Sequence, residues 1–127
     1  ALKTGRVEVA CLLIDLDEFK AVNDSQGHLA GDLVLRQMAA ALQRHLRPED
    51  TLYRIGGDEL AALVRTRDPA DVEEVARRLG AAARTTPCTV SIGAAMVADV
   101  PERVREAADA ALYAAKEAGR DAYRLAT

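Results

Sequence analysis

At 127 residues the chain has the length of one domain, and half of it is hydrophobic, enough for a single core without disulfide or metal staples. Aromatics make up only 3%, so that core has to be built from Ala, Val, Leu and Ile. Its 20 acidic and 17 basic residues give a net charge of −3, which argues against non-specific nucleic-acid binding but not against a nucleotide held by a few placed donors.

Val7 to Leu16 (VEVACLLIDL) is nearly continuous in apolar and β-branched residues, the pattern of a strand buried on both faces. Leu29 to Leu46 reads as a helix with Leu35, Met38, Ala39, Leu42 and Leu46 on one stripe and Pro48 just beyond its end. TLYRI and ELAALV flank Gly56-Gly57-Asp58 and predict an antiparallel hairpin, its glycines free to take positive φ and to let a ligand approach. Asp71 to Ala83 predicts a second helix with Val72, Val75, Ala76 and Leu79 inward. Cys88 to Met96 is another buried strand. Pro101 to Ala118 is a third helix, with Val104, Ala107, Ala108, Ala111, Leu112 and Ala115 on its core side and Gly119 as its stop. Ala122 to Leu125 closes the series as a short strand.

The order β-α-β-β-α-β-α-β is the split βαβ, ferredoxin-like pattern with an added helix and strand. It predicts an α+β domain, a central antiparallel sheet surrounded by helices, with the hairpin at the middle of the sheet beside the first strand. The chain reads as a single domain over residues 1–127, and its abrupt opening at Ala1-Leu2-Lys3 suggests excision from a larger protein. Cys11 and Cys88 stand apart in apolar settings and read as reduced thiols of a cytosolic protein. There is no CxxC or Cys/His cluster for zinc. No apolar run approaches the ~18 residues of a membrane span, and no signal peptide opens the chain.

Four polar groups carry the candidate chemistry. Asp15 and Asp17 end the first strand two apart and share a face if the strand continues, either as magnesium ligands or as solvated strand-end carboxylates. Asp58 and Glu59 sit at the hairpin turn, and the topology brings Asp58 towards Asp15, as in a phosphoryl-transfer site built around a divalent ion. Lys116 and Arg120 are four apart and share a side if the helix extends that far, either as a phosphate clamp or as solvated cations at a helix C-terminus. Asn23, His28 and Asp32 in NDSQGHLAGD offer an amide and a carboxylate suited to a guanine edge, or simply a loop and a helix N-terminus.

IDLDEFKAVNDSQGHLAGD, RIGGDEL, TVSIGAA and ADAALYAAKEAGRDAY, in that order, resemble the GGDEF domains of diguanylate cyclases, with a nucleotidyl-cyclase palm-like fold. The resemblance runs from about Leu12 to Tyr123. It implies that two GTP molecules are condensed into cyclic di-GMP and pyrophosphate with Mg2+ or Mn2+. Asp15, the Leu16 main-chain carbonyl and Asp58 would hold the metal, and Asp58, assisted by Glu59, would activate the 3′-hydroxyl. Asn23 and Asp32 would hold guanine, with His28 on the nucleoside. The backbone amides of Glu18 and Phe19, with Lys20, Lys116 and Arg120, would hold the triphosphate. Each domain would bind one GTP, so turnover implies a homodimer, driven by fused sensory or regulatory domains, in the cytoplasm, with no nucleic-acid or membrane partner. Arg47-Pro48-Glu49-Asp50 fits the family's RxxD product-inhibition site, where Arg47 and Asp50 would bind cyclic di-GMP. The alternative is a catalytically silent receptor for cyclic di-GMP or GTP.

The chain departs from the family's pattern at Leu60, where Phe is usual, and at Asp121, where Asn is usual. The segment between the hairpin and TVSIGAA is short, and the LTGLxNR opening is absent. Leu60 is expected to point into the core and to weaken activity rather than abolish it.

Overall fold

The computed structural model describes residues 7–97 and 101–126. The chain runs β1 (Glu8–Leu16), α1 (Phe19–Gln26), α2 (His28–Gln43), β2 (Thr51–Arg54), β3 (Glu59–Thr66), α3 (Pro69–Ala83), β4 (Val90–Met96), α4 (Pro101–Glu117) and β5 (Ala122–Leu125). The strands form one sheet in the order β2-β3-β1-β4-β5. The expected α+β architecture is present, with two refinements. The hairpin does not lie at the middle of the sheet: β3 pairs with β1, and β2 is an edge strand. β5 joins β4 in parallel, so the sheet is mixed.

β1 reads as an apolar run because both of its faces are covered. Leu12, Ile14 and Leu16 enter a large cluster with Leu35, Met38 and Leu42 of α2 and Val72, Val75 and Leu79 of α3. Leu13 faces the other way, into a small cluster with Ala61, Ala95, Val104, Ala108 and Leu112. On that second face α4 lies directly on β4. A Cβ at Gly93 would run into the backbone of Leu112 and Ala108, so only glycine permits that approach.

Local signals set the helix ends. Asp68, in extended backbone, accepts a 3.0 Å hydrogen bond from the Ala70 amide, and Pro69 occupies the first turn of α3. α4 closes in a Schellman motif. Gly119 (φ 110°) donates to the Lys116 carbonyl at 3.1 Å, and Arg120 donates to the Ala115 carbonyl at 3.3 Å.

α1 has no counterpart in the sequence-based element order, which leaves its residues as a connection. It has eight residues, too few for a periodic stripe, and is held by buried Phe19 and packing of Val22 rather than by propensity. Among the described residues no helix is long and apolar enough to cross a membrane.

Candidate functional site

The candidate residues gather at one end of the sheet, where β1 runs out between the β2–β3 turn and the C-terminus of α4. The Leu16 amide donates to the Asp58 carbonyl at 3.0 Å, which fixes the turn beside the end of β1. Arg54 staples the same turn, donating from Nε to the Gly56 carbonyl and from a terminal nitrogen to the Gly57 carbonyl, both at 3.1 Å. Neither glycine uses the positive φ that the sequence suggested; among the described glycines only Gly27 and Gly119 do. Gly57 instead leaves open space, with nothing within 4 Å of where a Cβ would stand.

Two adjoining clefts share Phe19, Lys20 and Asp58. One, of about 210 Å³, is lined by Asp15, Leu16, Asp17, Glu18, Lys116 and Arg120 as well. The other, of about 320 Å³, adds Asn23, His28, Asp32, Arg54 and Gly57. The metal, phosphate and guanine residues expected from the sequence are thus brought together. A larger cleft, about 510 Å³ between α3 and β5, contains none of them. Arg54 was not singled out in the sequence, although it stands inside the RIGGDEL block; only the fold shows it facing Asp32 and Asp58 across a cleft.

Asp15 is buried at 9% exposure. Its Oδ2 accepts from the Lys116 ammonium, while its Oδ1 is buried without a hydrogen-bond partner. Burial raises its pKa, Lys116 opposes the rise, and the neighbouring Asp58 carboxylate adds to it. An orphaned carboxylate oxygen beside a second carboxylate is a donor set suited to a hard divalent cation that also takes phosphate oxygens. Among the described residues no group of three or more His, Cys, Asp or Glu side chains is placed to hold a metal. The candidate set is therefore two carboxylates and the Leu16 carbonyl. Glu59 lies opposite Asp15 in the β1–β3 register and is held by Arg105 of α4 at 3.3 Å. Burial raises its pKa against the opposing charge of Arg105. Arg105 is a further residue that the sequence pattern did not mark.

Asp17 behaves differently from its neighbour. Its oxygens accept from the Ser91 and Thr89 hydroxyls at 2.6 Å each and from the Asp121 amide at 2.9 Å. The reading of Asp15 and Asp17 as a ligand pair therefore gives way: Asp17 is saturated by donors from β4 and its approach and from the turn before β5. Lys116 and Arg120 do reach one cleft, but α4 ends at Glu117, and Arg120 arrives on the following turn, where it faces Glu18 at 3.7 Å. No side chain caps α1, so its first amides remain available at the cleft.

At the cleft of about 320 Å³, Gly31 of α2 admits Asn23. A Cβ at Gly31 would collide with the Asn23 side-chain oxygen. Arg47 and Asp50 lie elsewhere, before β2. The Asp50 side chain is 2% exposed and accepts from the Arg47 amide at 3.0 Å and the Arg65 amide at 3.2 Å. The Arg47 guanidinium bonds to Asp50 and the Arg65 carbonyl and is half exposed.

A mixed five-stranded sheet with helices on both faces, carrying these carboxylates at the β1 end, defines an α+β domain with the palm-like nucleotidyl-cyclase fold. The family profile described as "Diguanylate cyclase, GGDEF domain" matches residues 1–122, and the chain belongs to that family. It is 38% identical over 125 residues to the bifunctional diguanylate cyclase/cyclic di-GMP phosphodiesterase MucR of Pseudomonas aeruginosa, covering 90% of this chain and 18% of that protein. It is 34% identical to the diguanylate cyclase DosC of Escherichia coli, covering 98% of this chain and 30% of the relative. The chain thus spans less than a third of these relatives. Among solved structures, the GGDEF domain of TpbB from Pseudomonas aeruginosa superposes with a TM-score of 0.89 at 37% identity, covering 97% of this chain and 79% of that one. The GGDEF domain of DgcB from Caulobacter crescentus, in complex with c-di-GMP, superposes at 0.84 with 30% identity, covering 98% and 81%.

Proposed function

We propose that this domain condenses two GTP molecules into cyclic di-GMP and pyrophosphate. The observation that carries the reading is Asp15: a buried carboxylate with one orphaned oxygen, flanked by Asp58 and Lys116, in the lining of the smaller cleft. Asn23 and Asp32 hold the guanine edge, with His28 beside the nucleoside and Arg54 at the turn. The first amides of α1, with Lys20, Lys116 and Arg120, hold the triphosphate. Asp15, Asp58 and the Leu16 carbonyl would hold Mg2+ or Mn2+, which when bound neutralises phosphate charge and makes the 3′-hydroxyl more acidic.

Asp58 accepts the proton of the 3′-hydroxyl of the GTP bound to its own domain. The 3′-oxygen then forms a bond to the α-phosphorus of the GTP on a facing domain, and the α–β bridging bond breaks to release pyrophosphate. The same step in the opposite sense closes the ring. One nucleotide per domain makes turnover depend on two domains facing each other, an arrangement that fused regulatory segments would promote. Glu59, held by Arg105, stands beside Asp15 and supports the metal end of the site.

A second reading, a receptor that binds cyclic di-GMP without turnover, has Arg47 as its support. Its guanidinium is half exposed and braced by Asp50, so it can present a fork to a phosphate or a guanine. Asp50 would have to leave the Arg65 amide to contact a ligand itself. In the cyclase reading the same site provides product inhibition.

The deciding experiment fuses the domain to a dimerising coiled coil, incubates it with GTP and magnesium, and separates the nucleotides. The cyclase reading expects cyclic di-GMP from the fusion and none from its Asp58→Ala variant. If the dimerised domain binds cyclic di-GMP but forms none from GTP, the receptor reading replaces it.

A further inference from the structure

Asp17, in the lining of the triphosphate cleft, is joined through hydrogen bonds to Asp121 and Arg84, which lie outside it. Among the described residues only three non-glycine residues have positive φ: Glu18 at 59°, Arg120 at 66° and Asp121 at 45°. All three border Asp17. Such backbone persists only where its surroundings hold it in place. Glu18 follows Asp17 in the chain and opens α1. Arg120 and Asp121 form the turn between α4 and β5.

Two holds on that turn are visible. From inside the fold, buried Asp17 accepts the Asp121 amide at 2.9 Å while the Thr89 and Ser91 hydroxyls fix the same carboxylate. From outside, the Arg84 Nε of the α3 C-terminus donates to both carboxylate oxygens of Asp121, at 3.1 and 3.0 Å. Between them sits Arg120, whose guanidinium turns into the cleft beside Glu18. Asp tolerates left-handed backbone less well than glycine and benefits from a fixed side chain; Arg84 supplies the fixing.

We propose that Asp17 and Arg84 are positioning residues for triphosphate binding: together they hold the left-handed Arg120-Asp121 turn so that the Arg120 guanidinium faces the phosphates. This rests on the reading of that cleft as the triphosphate site. The Arg84–Asp121 pair lies outside the cleft and touches no substrate. Its effect on the nucleotide passes only through the turn, so it is confined to the phosphate end of the ligand.

The test measures affinity of the full chain for a GTP analogue with a methylene bridge between the α- and β-phosphates, and for guanosine, both with magnesium. Arg84→Ala is expected to weaken the analogue about threefold to fivefold, the range of a well-oriented exposed pair. It leaves guanosine affinity and the melting midpoint unchanged. Asp121→Asn places a residue that adopts left-handed backbone readily, so in that background Arg84→Ala should have no further effect. Asp17→Ala should weaken the analogue roughly tenfold or more, because it removes the carboxylate oxygen that accepts the Asp121 amide. If wild type binds the analogue and Arg84→Ala binds it equally well, or if the effects at 84 and 121 add independently, the inference is overturned. If guanosine affinity falls in parallel with the analogue, the network is a general support and the inference is likewise overturned. If wild type binds guanosine but gains nothing from the triphosphate, the cleft assignment itself fails.

Discussion

The two faces of the sheet are built on different terms. The face under α2 and α3 is thick, with Leu12, Ile14, Met38, Leu42, Val64 and Leu79 all at or near zero exposure. The face under α4 is thin and rich in alanine, with Gly93 letting the helix backbone onto the strand. Asp15, Asp17, Glu59 and Lys116 lie on or beside that second face, at its β1 end. The difference teaches where each job sits. Apolar area removed from water stabilises the fold mainly on the first face. The second face gives up large side chains and brings charged groups close together in a partly dry setting, where their interactions are strong.

The largest expected effect separates the faces by activity. Asp58→Ala should lower cyclic di-GMP synthesis by at least ~100-fold, the lower range for removing a general base, with the melting midpoint nearly unchanged; chromatography and calorimetry check the two halves. Next comes a packing change on the first face. Leu79→Ala should lower stability by about 2–5 kcal/mol, measured by denaturant unfolding. On the second face, Gly93→Ala forces a methyl against the α4 backbone and should lower stability by about 1–3 kcal/mol; a neutral result would mean that α4 shifts freely.

Lys116→Met sharpens the comparison. Removing the cation from Asp15 should weaken binding of the GTP analogue roughly tenfold, about 1.4 kcal/mol. The smallest effect is on pH dependence. Burial raises the folded-state pKa of Asp15, so its contribution to stability is full below the ordinary carboxylate range and is lost as pH rises through the raised value. The melting midpoint of the wild type relative to Asp15→Asn, both in chelator, should therefore climb as pH falls towards the carboxylate range. A difference independent of pH would contradict the assigned burial effect.

The contrast between faces also explains what was legible in the sequence. β1, α2, α3 and α4 announce themselves because each buries a long apolar set, and Leu60, at 2% exposure, points inward as its flanking strand pattern requires. The Asp15, Asp58 and Asn23 groups were legible through the order of motifs. α1 was not, because eight residues anchored by Phe19 carry no period. Arg105 and Arg84 were not, because each acts through an acid about 40 residues away (Glu59 and Asp121), and nothing local marks that pairing. Asp17 was left open between ligand and solvated carboxylate for the same reason, and its partners Thr89, Ser91 and Asp121 show a third arrangement, a carboxylate bonded within the fold.

The most direct measurement compares turnover per folded molecule in the dimerised domain for Asp58→Ala and Leu79→Ala. The account predicts that Asp58→Ala stays folded and makes no cyclic di-GMP, while Leu79→Ala loses stability yet keeps its rate wherever it is folded. Turnover retained by Asp58→Ala would contradict it, because the turn carboxylate beside Asp15 would then not be the accepting base.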